Sequence, residues 1–140
     1  MPKNLDLHFF KVQHIGIPVK DMEISVDFYS SLGFKNVMQS PFEILEGKGV
    51  CTMMQKGEIV MELYQLPESL RHEILNRRDG HIDHVAFDID DIEGAFKKLK
   101  QEGFNVLQEA PVFLPFWDKG VRFFHIMGPD NERLEFNQIL

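Results

Sequence analysis

The sequence predicts an α+β fold built from two tandem βαβββ modules. Three observations predict it: the chain repeats itself, each copy opens with an alternating strand that runs into a capped helix, and apolar segments with turn signals follow each helix. Residues 12–35 (VQHIGIPVKDMEISVDFYSSLGFK) align without a gap, at an offset of 70, with residues 82–105 (IDHVAFDIDDIEGAFKKLKQEGFN). His14 pairs with His84, Asp21 with Asp91, Glu23 with Glu93, Gly33 with Gly103 and Phe34 with Phe104. Self-similarity of this kind marks a duplicated structural unit.

In the opening strands, Ile15, Ile17 and Val19 alternate with His14, Gly16 and Pro18, as Val85, Phe87 and Ile89 do with His84, Ala86 and Asp88. One face is apolar and the other carries the histidine and small residues, which leave space for a bound group. Asp21 and Asp91 are helix N-cap candidates, with Glu23 and Glu93 in the first turn where the helix dipole favours an anion. Gly33 and Gly103 stop the helices. Met22, Val26 and Tyr29, matched by Ile92, Phe96 and Leu99, recur at helical spacing and are expected to cover the apolar strand faces.

The return strands of the first module are expected near residues 35–39, 50–55 and 58–65, with a turn at Lys56-Gly57. Those of the second are expected near 105–108, 121–127 and 132–138, with a turn at Gly128-Pro129-Asp130-Asn131. Aligning the last strands, EIVMELYQL with NERLEFNQI, sets Glu62 opposite Glu135 and Gln65 opposite Gln138. Module 1 then spans about residues 10–66, a linker about 67–80, and module 2 about 81–140, within a single domain covering residues 1–140.

Composition narrows the function classes. The chain has 140 residues, 44% hydrophobic and 26% charged, which is ordinary for one globular domain. Its apolar runs are too short to cross a bilayer and its N-terminus lacks a signal-peptide pattern, so a cytoplasmic protein is expected. The net charge of −7 argues against nucleic acid or an anionic membrane as partner and leaves a small-molecule substrate as the leading class. Cys51 is the single cysteine, so any metal must be held by nitrogen and oxygen.

If a pseudo-twofold axis relates the copies, His14, Glu62, His84 and Glu135 converge on it. A lone strand histidine is more often structural, and a lone strand glutamate usually faces water. Here all four are repeat-related, lie opposite the apolar packing residues and have complementary ligand chemistry. Two imidazoles and two carboxylates suit Ni, Co, Fe, Mn or Zn and leave octahedral positions open for a chelating substrate.

The pattern carried by QHIGIPVKDMEISVDFYSSLGF, IVMELYQ, GHIDHVAFDIDDIEGAFKKLKQEGF and FFHIMGPDNERLEF resembles the glyoxalase I / vicinal oxygen chelate superfamily over nearly the whole chain. The resemblance implies a cup-shaped mixed sheet around one divalent metal held by His14, Glu62, His84 and Glu135. Ring-cleaving dioxygenases and fosfomycin-resistance enzymes of this superfamily typically use three ligands, so the filled Glu62 position implies the isomerase branch. A histidine at position 14 looks like the nickel- or cobalt-activated bacterial type, with Zn, Mn and Fe as further options.

The implied activity is that of a glyoxalase I-like isomerase of the lactoylglutathione lyase type. It would act through an enediolate on the hemithioacetal of a 2-oxoaldehyde, with glutathione or another thiol as cosubstrate. Glu135 is the implied general base and Glu62 the symmetric second candidate; a homodimer is also implied. The pattern departs from glutathione-dependent relatives at Pro18 and Leu66, where an Arg and an Asn often help to hold glutathione. Alternatives from the same resemblance are a fosfomycin-resistance-type epoxide-opening enzyme, a methylmalonyl-CoA epimerase-like enzyme and a drug-sequestering protein of the bleomycin-resistance type. The epimerase reading lacks its usual glutamate near Thr52.

Two further segments bear on specificity. The linker PESLRHEILNRRDG gathers Arg71, His72, Arg77 and Arg78, either as a solvated surface helix or as a contact for an anionic substrate tail. The loop PVFLPFWDKG, with Phe113, Leu114, Phe116 and Trp117, is read as a lid, a dimer contact or core packing. His8, His81 and His125 have no repeat partner and are read as structural or surface residues.

Overall fold

The computed structural model describes residues 5–77, 82–127 and 133–140. The Gly128–Asn131 turn, Arg78 and His81 lie outside the described residues. The first module runs β1 (Phe9–Pro18), α1 (Met22–Ser31), β2 (Lys35–Ile44), β3 (Gly47–Lys56) and β4 (Ile59–Gln65). A 3₁₀ turn at Glu68–Leu70 and the short α2 (Arg71–Leu75) connect to the second module: β5 (His84–Ile89), α3 (Ile92–Gln101), β6 (Val112–Leu114), β7 (Val121–Met127) and β8 (Arg133–Ile139). No helix among the described residues is long and apolar enough to cross a membrane.

Helix starts and stops follow local chemistry, and follow it twice. The Asp21 carboxylate accepts from the Ile24 N–H at 3.1 Å and Asp91 accepts from Gly94 at 3.0 Å. The first helical N–H groups, of Met22 and Ile92, are taken by the side-chain oxygens of Gln65 (2.7 Å) and Gln138 (3.0 Å), so the paired glutamines of the last strands fasten each helix to its sheet. Gly33 (φ 95°) and Gly103 (φ 84°) take the left-handed conformation that lets the next N–H return to Tyr29 and Leu99, both at 3.1 Å.

All eight strands form one mixed sheet of order β2-β3-β4-β1-β5-β8-β7-β6, with β6 closing one end and β2 the other. The seam is the antiparallel pair β1 and β5, in which Gly16 faces His84 and Ala86 faces His14. Parallel pairing then sets Glu62 of β4 beside Gly16 and Glu135 of β8 beside Ala86. Antiparallel hairpins extend the rows to Met53 of β3 and His125 of β7. Because side chains alternate across a strand, both rows share the concave face. The opposite face carries two apolar clusters, Val19, Met22, Met54 and Leu63 under α1 and Ile89, Ile92, Leu99, Phe124 and Phe136 under α3.

Two expectations are corrected here. Residues 105–108 form no strand; a single bridge joins Val106 to Ile126, and the short outer strand is Val112–Leu114 instead. The chain leaves the sheet where Gln108 turns its side chain onto the His125 backbone at 2.6 Å, ahead of the donor-less Pro111. In the first module β2 and β3 run further than expected, to Ile44 and Gly47, because Pro41 sits on an edge strand whose outer side needs no hydrogen bond.

Candidate metal centre

The two rows deliver four donor groups to one point within a single chain. The His14 and His84 Nε2 atoms are 3.2 Å apart. His14 Nε2 lies 3.2 Å from Glu135 Oε2 and 3.5 Å from Glu62 Oε2; His84 Nε2 lies 3.3 Å from Glu62 Oε1 and 3.6 Å from Glu135 Oε1. All four side chains are buried. Ligand bonds of about 2.0–2.2 Å place neighbouring donors about 2.8–3.6 Å apart, so the cluster has the dimensions of one coordination shell.

The hydrogen bonds behind the donors point the same way. Gln13 spends its amide N–H groups on Asp88 (2.9 Å) and Asn137 (3.0 Å), so its oxygen accepts from His14 Nδ1 at 2.9 Å. Asp83 accepts from His84 Nδ1 at 3.0 Å. Both imidazoles therefore turn Nε2 inward, toward each other and toward two carboxylates, where a cation that displaces the Nε2 protons would find two nitrogen donors. Three of these side chains, His14, His84 and Glu135, can hold a metal ion by their mutual spacing, and Glu62 adds a fourth oxygen within the same distances.

Charges in the cluster are strongly coupled. Burial would lower the pKa of both histidines, but Glu62 and Glu135 outweigh it at His14, and the Asp83 and Glu62 hydrogen bonds push His84 up to about 10. Burial would raise Glu135, yet His14 and the hydrogen bond from His125 hold it well below the usual carboxylate range. Asp83 stays ionised despite burial because His84, Tyr64 and Arg133 surround it. Burial pushes the Cys51 thiol far up, which keeps it a neutral wall.

A cavity of about 330 Å³ opens over this cluster, with Glu62, His84 and Glu135 in its floor and side chains of β2, β6 and the following loop in its walls. The expected lid loop divides its roles. Phe113, Leu114 and Phe116 line the cavity, Phe116 being buried beside Cys51, Met53 and Val121, whereas Trp117 packs against that cluster from outside the lining. Trp117 (φ 62°) and Gly120 (φ 93°) fold the loop back far enough to do both. Among the described linker cations, Arg71 donates to the Leu66 carbonyl at 3.0 Å, and Arg77 pairs with Glu73 at 2.8 Å and reaches the cavity residue Asp83 at 3.6 Å.

His125 corrects the reading that it is a structural or surface residue. It is buried, lines the cavity and donates from Nε2 to Glu135 Oε1 at 3.0 Å. Its tautomer follows from Gln108, whose oxygen is taken by the His125 N–H, so that its amide nitrogen donates to Nδ1 at 2.8 Å. The sheet register makes Met53 its counterpart, so comparing the two copies for shared ligand types passes over it. His8, as expected, is exposed and pairs with Asp90. The space expected beside Gly16 is filled by the His84 ring itself: a Cβ there would lie 2.0 Å from Cε1. The sequence analysis passes over Gln13 and Asp83 as well, although each immediately precedes a repeat histidine.

A sequence profile of the Glyoxalase/Bleomycin resistance protein/Dioxygenase superfamily matches residues 11–136. The chain belongs to this superfamily. It is 31% identical over 139 residues to the uncharacterized protein YwbC of Bacillus subtilis, covering 91% of this chain and 97% of that one. It is 26% identical over 133 residues to a lactoylglutathione lyase of Neisseria meningitidis, covering 91% and 90%. The eight-stranded cup is also the fold of a Streptomyces coelicolor methylmalonyl-CoA epimerase, with a TM-score of 0.73 at 19% identity over 94% of this chain and 95% of that one.

Proposed function

We propose that this superfamily member is a metal-dependent isomerase of the glyoxalase I type, converting the hemithioacetal of a 2-oxoaldehyde and a thiol into a 2-hydroxyacyl thioester. The observation that carries the proposal is the floor of the cavity, where one chain offers two inward-facing imidazole nitrogens and two carboxylates. The likeness to a lactoylglutathione lyase supports it. His14, Glu62, His84 and Glu135 would hold one divalent ion, nickel or cobalt in preference to Zn, Mn or Fe. Bound there, the ion would polarise two neighbouring substrate oxygens and acidify the carbon-bound proton between them.

The two glutamates are not equivalent. Glu135 is tied at both oxygens, Oε1 by His125 and Oε2 by the Asn137 amide at 3.0 Å. Glu62 meets only the two ligand imidazoles among the described residues and faces the cavity. Glu135 is therefore the anchored oxygen donor, and Glu62 is the carboxylate free to swing onto substrate. As general base Glu62 takes the proton from the hemithioacetal carbon and returns it to the adjacent carbonyl carbon, while the hydroxyl proton of the first carbon passes to the former carbonyl oxygen and the first carbon becomes the thioester carbonyl. Proton and electron pair stay within the substrate, so no redox cofactor is required.

The epimerase reading finds no base at Thr52, which is buried between Cys51 and Met53 of an apolar cluster. The test follows turnover of 2-oxoaldehyde hemithioacetals in D₂O by wild type, Glu62→Gln and Glu135→Gln, each with its metal content measured. Glu62→Gln should keep its ion and lose about 10²–10⁴ in kcat. Full activity of Glu62→Gln would remove it from the chemistry.

A further inference from the structure

The walls above the metal centre differ in character from its floor. Two edge strands from opposite ends of the sheet supply them: Phe42 and Ile44 from β2, and Val112, Phe113 and Leu114 from β6. Leu66 lines the same space. Phe113 borders this space as the register partner of Arg122 rather than of the inward-facing Phe123; it keeps 53% of its surface exposed, and its ring lies 2.3 Å from an added Cβ on Gly120. Apolar surface that is held open over a polar floor marks a ligand's apolar body.

Charge in the cavity is as informative. Among the described residues, Arg133 is the one lysine or arginine lining it, and Arg133 already bonds Asp83 at 3.3 Å. Glu43 adds a second carboxylate to the wall. Arg77 reaches the same Asp83 at 3.6 Å, so among the described residues the lining offers an anionic tail no unpaired lysine or arginine. At about 330 Å³ the space is also at the small end for ligand pockets, near 300–1,000 Å³.

We infer that the site takes an uncharged substrate that carries an aromatic or branched-alkyl body on the carbon next to its two neighbouring oxygens, and that any thiol partner is small and uncharged rather than an anionic peptide or nucleotide thiol. The inference rests on the proposed metal site and names its substrate class. The two neighbouring oxygens meet the floor, the apolar body fills the space between Phe42 and Leu114, and a carboxylate on that body meets Glu43 and the Asp83-bound Arg133.

The test uses hydroxamates, inert probes that present two adjacent oxygens to a metal, with dissociation constants measured calorimetrically on nickel-loaded protein. Benzohydroxamate is expected to bind at least about 30-fold more tightly than acetohydroxamate, the scale set by burying the additional ring carbons. A 4-carboxylate on the ring should weaken binding about 10-fold. Phe42→Ala, at a half-buried wall position, should weaken benzohydroxamate about 10-fold and acetohydroxamate by less than about 2-fold. Equal affinity for the two parent probes, or tighter binding of the carboxylate, overturns the substrate class while leaving the metal site standing. No binding of any hydroxamate to loaded protein likewise overturns the substrate class, whereas failure of the protein to take up nickel overturns the metal reading and the inference with it.

Discussion

Replacing Gly16 with alanine should evict His84 from the donor cluster. Gly16 faces His84 across the central strand pair, and an added Cβ would lie 2.0 Å from the ring Cε1 and 2.5 Å from both ring nitrogens. Ordinary contact begins near 3.4 Å, so the ring must retreat by about 1.4 Å. A coordination bond tolerates about 0.2 Å. The backbone cannot absorb the difference, because β1 is hydrogen-bonded on both sides, to β4 and to β5. Loss of the Nε2 donor should weaken divalent-metal binding by at least about 100-fold, about 2.8 kcal/mol, since even disturbing a group behind a ligand weakens binding about 10–100-fold. The assay is competition against a chelator of known affinity, with circular dichroism to show that the variant is folded. A folded Gly16→Ala protein that binds metal within about threefold of wild type would refute the reasoning.

Three further outcomes are expected. Mixing His14→Ala with His84→Ala protein should restore no activity, because the four donors come from one chain; recovery toward a quarter or more of wild-type turnover would indicate a shared site. Metal-free protein should lose stability as pH rises from 6.5 toward 10, since the His84 pKa is raised from 6.5 to about 10 and its contribution is complete only below the unfolded value. Metal-loaded protein should show the opposite slope, because the ion must displace those protons, and a melting series at pH 6.5, 8 and 9.5 with and without metal checks both. Asn137→Leu frees Glu135 Oε2 and removes an acceptor of Gln13, so it should weaken metal binding about 10–100-fold while keeping the fold, as read by metal titration.

The duplicated strand and helix were readable because their signals are local: an alternating strand, an aspartate cap, a terminal glycine. The donor set was readable because His14, Glu62, His84 and Glu135 occur at repeat-related positions. His125 was not, since its counterpart is Met53 and the two hairpins differ by one residue in span. The role of Gly16 was half legible; a small residue signals space, and only the antiparallel register of β1 and β5 says that an imidazole fills it. The same register decides that one chain completes the site, which two modules with self-complementary edges leave open. The inequality of Glu62 and Glu135 depends on His125 and Asn137, whose side chains meet Glu135 only after β7 and β8 have paired.

The central claim is that one divalent ion per chain, held by the two repeat-related pairs, is required for proton transfer. The most direct measurement strips the protein of metal, adds back nickel or cobalt in fractions of an equivalent, and follows isomerisation of phenylglyoxal and methylglyoxal hemithioacetals at each step. The account predicts no turnover without metal and a linear rise that breaks at one ion per chain. Turnover that survives stripping, or a break at half an ion per chain, would contradict it.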